Sequence, residues 1–80
     1  MSTATKSDNM LPIGPFAAWV VHRLELGDTW QDIAGRAGVY ESSVRRACRE
    51  QKHISLWLVD RVLVAHYTHL NEVYPFEEAA

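Results

Sequence analysis

The sequence predicts an all-α protein, a compact bundle of four to five helices that contains a helix-turn-helix. Apolar residues recur every three or four positions along several segments, as they do on the buried side of amphipathic helices. Glycine and proline divide these segments into short units, and no segment alternates with the period of two that is typical of strands. The 80 residues suffice for one domain, and their 48% hydrophobic content is typical of globular chains.

Three regions are expected along the chain. Residues 1–10 are small and polar, which predicts a disordered N-terminal arm. Residues 11–75 form the helical domain, and residues 76–80 form an acidic C-terminal tail.

The first helix is expected to begin at Gly14 and Pro15, because proline suits a first helical turn, and to end at Gly27. Its apolar stripe comprises Phe16, Trp19, Val20 and Leu24, with Arg23 among them.

The second helix is expected to begin after Thr29, which with Asp32 resembles a capping box. Gly38 supplies the positive φ that a tight turn needs. The buried stripe comprises Trp30, Ile33, Ala34 and Ala37.

The third helix, residues 41–50, is the most informative segment. On a 3.6-residue period its two faces differ in chemistry. One face carries Ser42, Arg45, Arg46 and Arg49, and the opposite face carries Val44, Ala47 and Cys48. We expect the apolar face to pack inward and to leave the three arginines unpaired and open to solvent.

The fourth helix follows Ser55, a plausible cap, and a final short helix ends at Pro75. Trp57 and Val64 lie off the apolar stripe of the fourth helix, so either the C-terminal tail covers them or they form a self-association surface. The stripe comprises Leu56, Val59, Val62, Leu63 and His66; the final helix contains Leu70, Val73 and Tyr74.

Charge is distributed unevenly along the chain. The formal net charge is −2, yet residues 29–66 carry +2 and residues 67–80 carry −3. The single cysteine, Cys48, allows no intrachain disulfide, and the N-terminus shows no secretory signal, so we expect a cytoplasmic protein without a membrane segment. We expect no catalytic site, no metal and no cofactor; His66 and His69 have zinc-compatible spacing but lack further ligands.

Two short helices joined by a glycine turn, the second basic on its outer face, are typical of DNA-binding helix-turn-helix proteins. The planar guanidinium of arginine can donate hydrogen bonds to the O6 and N7 atoms of guanine together, or to a phosphate. Serine can donate or accept, and Glu41 could accept from cytosine. The expected DNA-binding residues are Trp30, Glu41, Ser42, Ser43, Arg45, Arg46, Arg49 and Lys52.

The stretch TWQDIAGRAGVYESSVRRACRE resembles the helix-turn-helix of lambda-repressor-like (Cro-type) regulators, and with LVDRVLVAHYTHLNEVYP it is similar to small DNA-binding proteins of actinobacterial phages. The matching positions are Ile33, Ala34, Gly38, Val39 and Val44. The resemblance implies a helical bundle that binds operator-like duplex DNA. It also implies that Trp30 stands where the family often has a glutamine touching the DNA backbone, and that Glu41, Ser42, Ser43, Arg45 and Arg46 occupy base-reading positions.

The sequence departs from this family at three positions. Tyr40 stands where a capping serine or threonine is usual, and Cys48 and Glu50 replace a common Glu-x-Gly ending. These departures affect the register in which the third helix would dock.

The leading hypothesis is a phage-type transcriptional regulator whose partner is double-stranded DNA. One alternative is a recombination directionality factor (excisionase), which bends DNA beside an integrase. Another is a helical interaction module that inhibits a host protein through Trp57, Tyr67 and Tyr74. Besides DNA, the partners that the sequence allows are a host or phage protein and a second copy of the chain. The second copy would form a homodimer through helix 56–66 or the C-terminal segment.

Overall fold

A computed structural model of the chain describes residues 10–75. Most of the predicted arm and the acidic tail therefore lie outside the described residues. The described part is a small helical bundle with five helices and one short two-stranded sheet. In chain order the elements are β1 (Met10–Pro12), α1 (Ile13–Glu25), α2 (Trp30–Gly35), α3 (Glu41–Glu50), β2 (His53–Ser55), α4 (Leu56–Ala65) and α5 (Leu70–Val73).

The sheet was not anticipated from the sequence. β1 and β2 are antiparallel, with Met10 opposite Ser55 and Pro12 opposite His53. Met10, assigned above to the disordered arm, therefore belongs to a strand. Each strand has only three residues, too few to produce a recognisable alternation of polar and apolar side chains.

The helix limits follow local capping chemistry. Pro12 is the N-cap of α1, so this helix begins one residue earlier than expected, and Gly27 lies beyond its end with φ +109°. The Thr29 and Asp32 capping box at α2 is confirmed, and so is Ser55 as the cap of α4. The side chains of Thr29 and Ser55 each accept from a backbone N–H that would otherwise lack an intrahelical partner.

One apolar core joins all the elements except α5 and β1, whose partly buried residues pack against it. Helix α1 contacts α2, α3 and α5, and α4 contacts β2 and α5. Most of the predicted stripe residues are buried, which confirms the helical periodicity. The core consists of Phe16, Val20, Ile33, Ala34, Ala37, Val44, Ala47, Ile54, Val59, Val62 and Leu63.

The two ends of the described chain meet at Tyr74. Its hydroxyl donates to the carbonyl of Pro12 at 2.5 Å and accepts from the backbone N–H of Phe16 at 3.3 Å. Burial raises the pKa of this phenol. The alternative of a host-protein inhibitor requires Tyr74 to be an exposed interaction residue. The structure instead shows Tyr74 half-buried and hydrogen-bonded to the start of α1.

Candidate nucleic-acid interface

The turn between α2 and α3 is held by backbone and side-chain contacts. The N–H of Val39 donates to the carbonyl of Ala34 at 3.1 Å, and Gly38 has φ +71°. Arg61 of α4 reaches the turn and donates from Nε to the carbonyl of Ala37 at 3.0 Å. The relative placement of α2 and α3 is therefore fixed by a neighbouring helix as well as by the turn itself.

Helix α3 buries its apolar face as expected. Val44 is fully buried, Ala47 is almost so, and Cys48 is partly buried beside them. Burial raises the pKa of the Cys48 thiol to about 11, so at neutral pH it is a neutral packing residue. This packing sets which side of α3 faces solvent.

The opposite face of α3 presents three exposed side chains in one line. Ser42, Arg46 and Arg49 lie at positions i, i+4 and i+7, and all three are exposed. Neither arginine forms an ion pair within residues 10–75. We call Ser42, Arg46 and Arg49 the α3 line.

Arg45 does not fit the expectation of three unpaired arginines. Its guanidinium pairs with the carboxylate of Glu41, one turn earlier, and lies over the Trp30 indole at 5.7 Å from the ring centroid. Arg45 sits at the edge of the α3 line, on the side towards α2. The expectation is therefore wrong for Arg45, because an acidic residue at i−4 and an aromatic ring on α2 both lie within reach of its guanidinium.

The same contacts change the expected roles of Trp30 and Glu41. Trp30 is the first residue of α2 and packs partly against the core while its ring faces Arg45. Glu41 is the first residue of α3, and its carboxylate is occupied by Arg45. These three side chains join the starts of the two helices.

Two further predicted residues lie outside the α3 line. Ser43 is exposed on α3, and Lys52 is exposed in the connection that follows the helix. The backbone carbonyl of Lys52 accepts from the N–H of Ile13 at 2.9 Å, which fixes this connection against the start of α1. Tyr40 is the N-cap of α3 and makes no side-chain capping bond, which confirms the weak cap inferred from the sequence.

Arg61 was not singled out from the sequence as a contributor to this region. Its contact with Ala37 spans 24 residues, so no local spacing could reveal it.

The two histidines with zinc-compatible spacing have different environments. His66 is buried and donates from Nδ1 to the carbonyl of Val62 at 2.9 Å, while His69 is exposed. Within residues 10–75, no group of three potential metal ligands comes together.

No helix in the described part of the chain has the length and apolar character needed to span a membrane. Comparisons with protein-family models, with curated proteins and with solved structures find no match to this chain.

Proposed function

We propose that this chain binds double-stranded DNA sequence-specifically and inserts α3 into the major groove. One observation carries the proposal: α3 buries Val44 and Ala47 while Ser42, Arg46 and Arg49 project together into solvent without ion-pair partners within residues 10–75. A helix that enters DNA needs this division, because one side must anchor it to the domain while the other meets the base edges.

The dimensions of α3 suit such a role. Its ten residues span about 15 Å at 1.5 Å per residue. The major groove of B-form DNA is about 12 Å wide and admits one helix. Ser42 stands in the first turn, the part of a recognition helix that usually reaches furthest towards the bases.

The exposed side chains divide into two proposed roles. Arg46, at the centre of the α3 line, would take the O6 and N7 acceptors of a guanine. Arg49 and Lys52, further along the chain, would contact phosphates and fix the orientation of the domain. Ser42 and Ser43 would reach neighbouring base edges or the sugar-phosphate backbone.

Arg45, Glu41 and Trp30 support the interface from its edge. The ion pair neutralises the Glu41 carboxylate, which would otherwise repel phosphates near the first turn of α3. In this proposal the three residues position α3, and direct base contacts come mainly from the α3 line.

The low overall charge affects how the protein would bind. Nonspecific affinity for DNA comes almost entirely from phosphate contacts, and a chain with net charge −2 offers few of them. Affinity for DNA would therefore rest on specific contacts or on a second protomer. A phage-type repressor or Cro-like regulator is the function that we propose for such a protein.

The test is selection of bound fragments from random duplex DNA, followed by affinity measurements on the selected site. Arg46→Ala should weaken specific binding by about 1–3 kcal/mol, or roughly 5- to 150-fold. Arg46→Lys keeps the positive charge but loses the planar guanidinium that donates two hydrogen bonds to guanine. This variant should therefore retain nonspecific DNA binding and lose the preference for the selected site. Arg36→Ala removes the same charge from an exposed arginine outside α3, one that lies 3.8 Å from the Asp28 carboxylate, and is the control for net charge.

No enrichment in the selection, or equal effects of Arg46→Ala and Arg36→Ala, would contradict the proposal. The genomic position of the enriched site separates the regulator from the excisionase alternative: a promoter supports the first and an attachment region beside an integrase gene supports the second.

A further inference from the structure

Helix α4 has an unusually apolar outer face. Its inner face is fully buried through Val59, Val62 and Leu63. On the outer face, Trp57 is 62% exposed and Val64, two turns later, is 59% exposed. Single exposed apolar residues are ordinary, but two large ones along one line of a short helix indicate a contact surface.

Between these two apolar residues lie two opposite charges. Asp60 and Arg61 are both exposed, and neither forms an ion pair within residues 10–75. We call Trp57, Asp60, Arg61 and Val64 the α4 stripe. Their spacing of three, one and three residues keeps all four on one side of the helix.

The α4 stripe is symmetric about its midpoint, between Asp60 and Arg61. If two such helices pack antiparallel about a two-fold axis at that midpoint, each residue meets the one equidistant on the other side. Trp57 then faces Val64 of the partner subunit, and Asp60 faces Arg61 of the partner subunit. The two-fold axis forms each of these contacts twice, the apolar contact between Trp57 and Val64 and the ion pair between Asp60 and Arg61. The surface is therefore complementary to itself.

Two of the four side chains that would form this contact, Trp57 and Arg61, already contact each other. The Arg61 guanidinium lies over the Trp57 ring, 5.3 Å from its centroid, while its Nε atom is held by the carbonyl of Ala37. The remaining guanidinium nitrogens can still bind a carboxylate. Ordering before association reduces the entropy lost on binding. An open groove of about 370 Å³, lined in part by Ala37 and Ala65, runs along the same stripe.

We propose that the α4 stripe is the interface of an antiparallel homodimer. One ten-residue helix from each copy provides an interface at the small end of the range, below about 1,200 Å² in total. The dimer should therefore be weak and concentration-dependent, with a dissociation constant in roughly the micromolar range.

The α4 stripe and the α3 line share no residue, although Arg61 of the stripe also holds the turn between α2 and α3 through the Ala37 carbonyl. Self-association is measured without DNA, so its failure would leave the α3 proposal intact, and the reverse also holds.

The first test is sedimentation equilibrium of the full chain over a wide concentration series. The wild type should pass from monomer to dimer, and Trp57→Ala should raise the dissociation constant by at least about tenfold, as expected for a large aromatic anchor. Val64→Glu and Val21→Glu form a matched pair, since Val21 is 50% exposed on α1. Only Val64→Glu should weaken the dimer; equal effects, or a monomer at every concentration, would overturn the proposal.

Charge reversal tests the two-fold pairing itself. Asp60→Arg alone and Arg61→Asp alone should each lose self-association, because each variant places like charges opposite one another. A mixture of the two variants should recover dimers, since the opposed charges are then complementary at both positions. Circular dichroism verifies that both variants are folded. Failure of the mixture to associate, with both variants folded, would overturn the antiparallel arrangement.

Discussion

The guanidinium of Arg45 lies 5.7 Å from the centroid of the Trp30 indole ring while it pairs with the Glu41 carboxylate. This contact connects the first residue of α2 with the first turn of α3. It also removes one arginine from the set that is open to solvent, so the availability of Arg45 to DNA depends on this ion pair.

Glu41→Gln should therefore strengthen nonspecific DNA binding. The substitution removes an acidic group near the first turn of α3 and releases Arg45 for a phosphate. We expect tighter binding at low salt and a salt dependence steeper by about one charge-equivalent. Fluorescence anisotropy on a random-sequence duplex at several salt concentrations measures both quantities.

The control for this prediction is Glu25→Gln, which makes the same charge change on an exposed residue at the end of α1. Equal changes in the two variants would mean that only net charge matters and that the Arg45 pair has no specific effect.

The cap of α2 should make a pH-dependent contribution to stability. Thr29 Oγ1 accepts from the N–H of Asp32 at 3.0 Å, and the Asp32 carboxylate accepts from the N–H of Thr29 at 2.9 Å. The bond from the Thr29 N–H, and after it the Thr29 hydroxyl, lower the pKa of the Asp32 carboxyl from its ordinary 3.8. Because the folded-state pKa is the lower one, the stabilisation is present above pH 3.8 and is lost as the pH falls through the folded-state value.

Thr29→Ala should accordingly lower the free energy of unfolding by about 1 kcal/mol at neutral pH. Asp32→Asn should also destabilise at neutral pH, and its difference from the wild type should shrink in acid. Urea unfolding followed by tryptophan fluorescence measures these differences, with Glu25→Gln as the reference carboxyl substitution. A difference for Asp32→Asn that does not change with pH would contradict the assignment.

Two residues with positive φ should respond to substitution in opposite directions. Gly38 has φ +71°, and a Cβ there would come no closer than 4.0 Å to Arg61, so Gly38→Ala has space but an unfavourable backbone. We expect a loss of about 1 kcal/mol. Tyr67 has φ +58° and is 97% exposed, so Tyr67→Gly should stabilise the protein by about 0.5–1 kcal/mol.

Tyr67→Ala separates the backbone effect from the loss of the side chain, because alanine keeps the same unfavourable φ. If Tyr67→Ala stabilised the fold as much as Tyr67→Gly, the gain would not arise from the backbone. Denaturant midpoints of the three variants give the comparison.

Local signals in the sequence predicted the helices well. The bounds of α3, the capping box at Thr29 and the inward face of Val44 and Ala47 depend on residues within one or two turns, and the structure confirms them. Such features follow from spacing and capping chemistry, which the sequence displays directly.

Contacts between distant elements could not be read in the same way. The pairing of Met10 with Ser55 and the bond from Arg61 to the Ala37 carbonyl join residues far apart in the chain. The ion pair between Glu41 and Arg45 could have been predicted from their i,i+4 spacing. The contact between the Trp30 ring and Arg45 could not, because it depends on how α2 packs against α3. The structure therefore confirms the bounds and the inward face of α3 and shows that one of its arginines is paired, while DNA binding by this helix stays a prediction.

NMR mapping of the protein during titration with a duplex obtained by selection tests directly whether α3 contacts DNA. The largest shifts should cluster on α3, at Ser42, Arg46 and Arg49, with smaller shifts at Lys52. Shifts concentrated on Trp57 and Val64 of α4, or no saturable shifts on any duplex, would contradict the claim that α3 reads DNA.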